Sequence, residues 1–196
     1  RLLPLLLLLS TSLHAQRPDI IFIMSDDHDK DAISAYTKEL VRTPNIDRLA
    51  REGMQFNAAF VANAICAPAR ATLLTGQHSH INGQTDNRAR FDSSRMTLPK
   101  LFQQGGYQTA VIGKWHLKTL PSGFDFWKIV PGQGLYFQPR FIRMNNDTVT
   151  EQGYATDVIT NEAIEWLEER DKSKPYLLLL HHKAPHRYFF PPLHLA

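Results

Sequence analysis

The sequence predicts an α/β fold with a mostly parallel central sheet and helices on both faces. Three observations carry that prediction. Apolar runs of strand length stand at Asp19–Met24, Tyr107–Gly113 and Tyr176–His182, and they are hydrophobic on both faces. Central strands of a parallel sheet read this way because helices cover them from both sides. Stretches with helical spacing separate the runs. Finally, the clusters Asp26-Asp27, Lys114/His116 and Lys183/His186 each follow the end of such a run. In open α/β sheets, ligands bind at that C-terminal edge.

Residues 1 to about 15, "RLLPLLLLLSTSLHA", carry one positive charge, then a leucine block, then small and polar residues. That is the layout of a secretory signal peptide. The block Leu2–Leu9 is far shorter than the roughly 20 residues needed to span a bilayer. The expectation is an exported protein, periplasmic or secreted, with no transmembrane segment and with residues 16–196 as the folded part. Hydrophobic residues make up 43% of the chain, enough for a core. The net charge is +3, and Lys and Arg are scattered singly among acidic residues. No basic run marks a nucleic-acid surface.

The first strand ends in Ser25-Asp26-Asp27-His28, where the chain must leave the sheet. "RTPNIDRLAREGM" predicts a short helix, with Thr43 as cap, Pro44 in the first turn and Gly53 at the exit. "MQFNAAFV" predicts a second extended segment. Ala69 to Thr75 predicts a helix that stops at Gly76. "TLPKLFQQGG" predicts another helix, followed by the strand "YQTAVIG" and then Lys114-Trp115-His116. Pro121 to Thr148 is rich in Gly, Pro, Asn and aromatics and predicts an irregular loop. Tyr154 to Arg170 places Val158, Ile159, Ala163, Trp166 and Leu167 at helical spacing. "YLLLLHH" is the last strand.

Two adjacent carboxylates repel each other unless a cation lies between them. Asp26 and Asp27 therefore suggest a hard divalent ion, Ca²⁺ ahead of Mg²⁺, with further ligands from elsewhere. Zinc could draw on His78, His80, His181 and His182, but one cysteine and no H-E-x-x-H give it little support. That cysteine, Cys66, is the only one in the chain. In an exported protein an unpaired thiol is a candidate for reactivity or modification, with burial as a small hydrophobe as the plain alternative. Cys66 precedes a helix, near free N–H groups and the positive end of the helix dipole. Arg70, four residues on, lies on the same side and offers a planar fork to an oxyanion. With Lys114, Lys183 and a metal nearby, this is a cage for a tetrahedral anion with a nucleophile at its base. Such a cage suits phosphoryl or sulfuryl transfer.

Residues 66–76, "CAPARATLLTG", resemble the signature of the type I, formylglycine-dependent sulfatases of the alkaline phosphatase superfamily. "SDDH" resembles that family's first metal pair, "GKWHL" its second motif, and "KAPH" the segment carrying an active-site histidine. The resemblance implies that Asp26, Asp27 and residue 66 ligate calcium. It also implies that a formylglycine-generating or maturase enzyme oxidises Cys66 to formylglycine. A hydroxyl of the aldehyde hydrate would then attack sulfur, helped by calcium, and either His186 or the family's downstream lysine would protonate the leaving oxygen. His116 would take a proton from the second hydroxyl to expel sulfate. Arg70 and Lys114 would balance charge, and Lys183 would touch sulfate or sugar. "SHINGQTDN" and "HHKAPHR" look most like sulfatases acting on sulfated sugars of polysaccharides or glycosaminoglycans, including a glucosamine-6-sulfatase-like branch. Ala69 departs from the commonest form, which has Ser there. The family's second metal pair and a further lysine lie downstream, so residues 16–196 resemble the N-terminal part of a longer catalytic domain. A phosphate or phosphonate ester hydrolase of the same superfamily, or an inactive carbohydrate-binding relative, are the alternatives.

Overall fold

The computed structural model of the protein describes residues 17–193, and the signal-like stretch 1–15 lies outside the described residues. Its sheet is built around strand β6 (Tyr176–Pro185), which pairs in parallel with β1 (Ile20–Asp26) on one side and β2 (Gln108–Lys114) on the other. Beyond β2 come β3 (Phe126–Val130), β4 (Arg140–Arg143) and β5 (Thr148–Thr150). The strand order is β1-β6-β2-β3-β4-β5, with the β2–β3 pair parallel and the last two pairings antiparallel.

The leucine run of β6 explains why it is central. Leu177 and Leu179 pack into one apolar cluster with Val111 and with Ala67, Ala71 and Leu74 of α2 (Cys66–Thr75). Leu178 and Leu180 point the other way, onto Ile159, Ala163 and Trp166 of α5 (Ala155–Glu169). Alternate residues of one strand thus serve two helical layers. Each fully buried leucine contributes about 1.5–3 kcal/mol of transfer free energy. Helix α4 (Leu98–Gln104) also packs on the α2 side, through Leu98 and Phe102. Helices therefore cover both faces, as the sequence predicts. Two further α-helices, α1 (Pro44–Glu52) and the short α3 (Ser79–Asn82), and one turn of 3₁₀ helix at Lys30–Ala32 lie among the described residues. Among the described residues no helix is long and apolar enough to cross a membrane.

Several expectations need correction. The run Asp19–Met24, read as a central strand, forms β1 at the edge of the sheet, with Ile21 and Ile23 exposed on its uncovered face. Residues 54–61 contain no strand, and Phe56, Phe60 and Val61 are exposed. The supposed loop from Pro121 to Thr148 holds β3, β4 and the start of β5. Its Gly, Pro and Asn residues form the turns between those strands, while "FWKIV" supplies a buried one. The charge of Lys128 hid that strand. Its ammonium is buried but paired with Glu151 at 2.8 Å and with Glu162, as a buried charge must be. Helix α2 begins at Cys66 rather than Ala69, because Pro68 needs no N–H partner in a first turn. Thr43 makes no side-chain cap to α1 and instead bonds Ser34 and Asp47. Strand β6 continues to Pro185, so Lys183 lies within it rather than past its end.

Candidate active site

The C-terminal ends of β1, β6 and β2 converge with the N-terminus of α2. Asp26 is the last residue of β1 and is buried. The register between β1 and β6 slips between Met24 and Asp26, and the chain then turns through Asp27 at φ +62°. That break sends the two aspartates different ways. Asp26 faces the site, whereas Asp27 is exposed.

Cys66 opens α2 after Ile65, an extended residue that ends the preceding loop. The neighbouring amide of Ala67 donates to Asn87 Oδ1 at 2.9 Å, so one of the free N–H groups of this helix end is used within the protein. Cys66 Sγ lies 3.8 Å from Asp26 Oδ1 and 3.8 Å from Lys114 Nζ. Ligand atoms of Asp26, Cys66 and His186 all fall within 4.8 Å of one another. Lys114 ends β2, is fully buried, and pairs with Asp26. Gly113 makes this approach possible. Its φ is +102°, and a Cβ there would run into the carbonyl of His181 on β6.

Arg70, one turn into α2, is buried with Nη2 at 3.8 Å from Asp26 Oδ1. Its Nη1 donates to the Lys114 carbonyl at 2.6 Å and lies 3.1 Å from His181 Nδ1. Burial and the nearby guanidinium push the His181 pKa far down, so its ring is neutral, and its Nδ1 sits between the Arg70 guanidinium and the Lys114 carbonyl, 3.2 Å away. His116 follows β2 at φ +57°. Burial first, then Lys114 and Arg70, push its pKa down to about 4. His186 is buried just past β6, and its Nδ1 lies 2.7 Å from the Arg187 carbonyl. Lys183 is buried with its ammonium over the Tyr136 ring at 4.6 Å. Burial lowers its pKa first, with the Lys114 charge adding to the effect.

Of the eight residues expected at the site, the structure gathers Asp26, Cys66, Arg70, Lys114 and His186 in direct contact or ligand reach. It sets His116 and Lys183 within electrostatic range and leaves Asp27 outside these contacts. His78 and His80, weighed for zinc, stack on each other near the surface and join no cluster of metal-ligating atoms among the described residues. Sequence reasoning gives three contributors other roles or none: His181 is weighed only for zinc, Tyr136 only as one of the loop aromatics that could line a pocket, and Gln133 not at all. Gln133 accepts a hydrogen bond from Lys114, Tyr136 OH donates to the His186 carbonyl, and His181 locks Arg70. The available signal was the "PGQGLYF" stretch, whose Gly-Gln-Gly core reads only as a turn.

A buried carboxylate flanked by two cations, a thiol and an imidazole, at the ligand-binding edge of a parallel sheet, can hold a small tetrahedral anion. The sulfatase family model matches residues 18–195. The N-acetylglucosamine-6-O-sulfatase of Bacteroides thetaiotaomicron is 51% identical over 185 residues, covering 92% of this chain and 33% of that protein. An ulvan-active sulfatase of Formosa agariphila is 30% identical, covering 87% of this chain and 36% of that one. A solved structure, described as being in complex with its substrate D-glucosamine-2-N,6-O-disulfate, superimposes with a TM-score of 0.88 at 50% identity, covering 90% of this chain and 36% of that chain. The chain spans about a third of the length of these relatives. With a matching model over nearly all described residues, the chain belongs to the sulfatase family.

Proposed function

We propose that the protein of which this chain is the sulfatase segment hydrolyses sulfate esters of sulfated sugars, with 6-O-sulfated glucosamine units as the substrate class. The observation that supports this reading is the Cys66–Asp26–His186 cluster, set against Lys114 and Arg70. The substrate class rests on the similarity at 51% to an N-acetylglucosamine-6-O-sulfatase. Export, and conversion of Cys66 by a formylglycine-generating or maturase enzyme, belong to the same reading.

Asp26 offers a buried carboxylate oxygen within the cluster of ligand atoms, whereas Asp27 is exposed and outside it. Thiol and imidazole are soft donors that do not suit Ca²⁺, whereas an oxygen in place of the thiol does. The residues therefore fit one side of a calcium shell once residue 66 carries oxygen. In that state the hydrated aldehyde would supply an oxygen nucleophile, and the ion would supply positive charge toward the sulfuryl oxygens.

The chain's own groups divide the remaining work. Lys114 and Arg70 hold positive charge beside residue 66, where sulfuryl oxygens would lie. Preorganised donors of this kind contribute roughly 10²–10³ each in rate. His116, neutral at pH 7, has a lone pair free to accept a proton. His186, fixed through its Nδ1–H to the Arg187 carbonyl, leaves Nε2 facing the site, from which the imidazolium form would deliver its second proton to the departing sugar oxygen. Lys183 would meet the sulfate or the sugar.

Turnover of aryl sulfate and aryl phosphate by the full-length enzyme tests this reading. Aryl sulfate should be strongly preferred, and Cys66→Ala should abolish turnover. The peptide holding residue 66 should lack sulfur and two hydrogens and carry an extra oxygen. A preference for phosphate, or normal turnover by Cys66→Ala, would overturn the proposal.

A further inference from the structure

We propose that the loop joining β3 to β4 holds two positioning residues for this site, Gln133 and Tyr136. The inference rests on the sulfate-ester reading above and assigns the loop a part in it.

The Lys114 ammonium has three N–H donors. In this structure they meet Asp26, Gln133 Oε1 and, at 3.8 Å, Cys66 Sγ. Two polar partners thus fix the head group so that the third donor points at residue 66. Without Gln133, a flexible ammonium on a four-carbon stem would be free to turn toward Asp26 alone.

Tyr136 acts on the other side of the site. Its hydroxyl donates to the His186 carbonyl, while its ring lies under the Lys183 ammonium at 4.6 Å. One buried side chain therefore sets the backbone of one site residue and the head group of another. The hydroxyl remains a donor throughout the physiological range, since burial pushes its pKa up to about 12. Gly134, between the two, lies flush against Lys183. A Cβ there would strike Val130 and come within 3.6 Å of Lys183 Cδ.

The loop is itself anchored away from the chemistry. Ala155 N donates to Tyr136 O at 2.7 Å, and Gln138 N donates to Gly153 O at 2.9 Å. The Tyr136 ring stacks on Tyr154 at 5.8 Å and meets Phe190 edge-on at 6.1 Å. Tyr154 OH in turn donates to Phe190 O at 2.8 Å. The loop is tied to the start of α5 and to the segment after His186, and from there it reaches side chains of both β2 and β6. Packing alone would need the Tyr136 ring but neither its hydroxyl nor the Gln133 amide.

The test uses the full-length enzyme and its Gln133→Ala, Tyr136→Phe and Tyr136→Leu variants. Steady-state kinetics on an aryl sulfate are paired with calorimetric binding of inorganic sulfate and with thermal unfolding. Gln133→Ala should lower kcat about 10- to 100-fold with little change in KM or unfolding midpoint, as a misaimed catalytic group does. Tyr136→Phe should lower kcat but keep sulfate affinity, because the ring stays under Lys183. Tyr136→Leu should lower kcat and also weaken sulfate binding about 10-fold, one cation's share of the anion contacts. Gln133→Ala with wild-type kcat, or equal sulfate affinity in the Phe and Leu variants, would overturn the proposal. If Tyr136→Leu fails to fold, the half-buried Gln133 carries the decision. If the wild-type enzyme does not turn over aryl sulfate, the sulfate-ester reading fails instead, and sulfate affinities across the variants still judge Tyr136.

Discussion

The Cys66 sulfur lies 3.8 Å from Asp26 Oδ1 and 3.8 Å from Lys114 Nζ, against both members of one buried ion pair. The lysine side chain is fully buried and that of the aspartate is 7% exposed, so water screens little of either charge. Arg70 is the only other cation in ion-pair reach of Asp26 among the described residues, at 3.8 Å. The pair thus holds the end of β2 to the end of β1 across β6, at the cost of desolvating both groups. Breaking such a pair by removing one partner costs about 3–5 kcal/mol, because the other charge stays buried. Since Arg70 still compensates Asp26, Lys114→Met should lose about 3 kcal/mol, the lower end of that range, in denaturant unfolding at pH 7. Wild-type stability in this variant would show that Arg70 alone neutralises Asp26.

Three histidines make stability depend on acid. Burial depresses the pKa values of His116, His181 and His182, that of His116 to about 4. The unfolded chain binds protons at these rings near pH 6.5 while the folded chain still excludes them. More protons on the unfolded state means that folding stability rises with pH between about 4 and 6.5. Unfolding free energy measured across that window should fall steadily toward acid, and His116→Gln should reduce the slope. A flat profile would show that the rings are solvated in the folded state.

The order of strands and helices was readable wherever burial on two faces produced unbroken apolar runs, as in Leu177–Leu180. It was not readable at Lys128, where a buried charge interrupts the pattern and is neutralised by Glu151 and Glu162, residues distant in sequence. The same limit applies at the site. Asp26, Cys66 and Lys114 stand at element ends, which sequence can locate. The outward turn of Asp27 depends on a register slip between β1 and β6, a pairing of segments over 150 residues apart in sequence. Gln133 and Tyr136 act through a loop whose path is set by tertiary anchors, and turn-forming composition does not encode those anchors.

Gly113 should tolerate no side chain. Its φ of +102° disfavours any L residue, and an added Cβ would collide with the backbone carbonyl of His181, which cannot rotate away. Gly113→Ala would therefore push β2 from β6 at the point that sets Lys114 against Asp26. The expected outcome is loss of soluble, cooperatively folding protein, since steric and backbone strain of this kind exceeds about 3 kcal/mol. Gly76, also at positive φ but with open space where a Cβ would go, is the control. Its alanine variant should lose only about 1 kcal/mol, the usual penalty at a left-handed helix cap.

Calcium binding at Asp26 should appear as a linked gain in stability. A ligand that binds only the folded state adds about 2.7 kcal/mol at one hundred times its dissociation constant. Full-length protein with converted residue 66 should therefore melt higher as Ca²⁺ is added, and a chelator should reverse the shift. Asp26→Asn lowers the baseline in any case, because it leaves Lys114 and Arg70 without their shared carboxylate. The informative quantity is the calcium-dependent increment within each variant. Asp26→Asn should abolish that increment. Asp27→Asn, at an exposed residue, should leave the baseline unchanged and reduce the increment only if its carboxylate turns inward on binding. An undiminished increment in Asp26→Asn would remove Asp26 from the metal shell, leaving it as the partner of Lys114 and Arg70 alone.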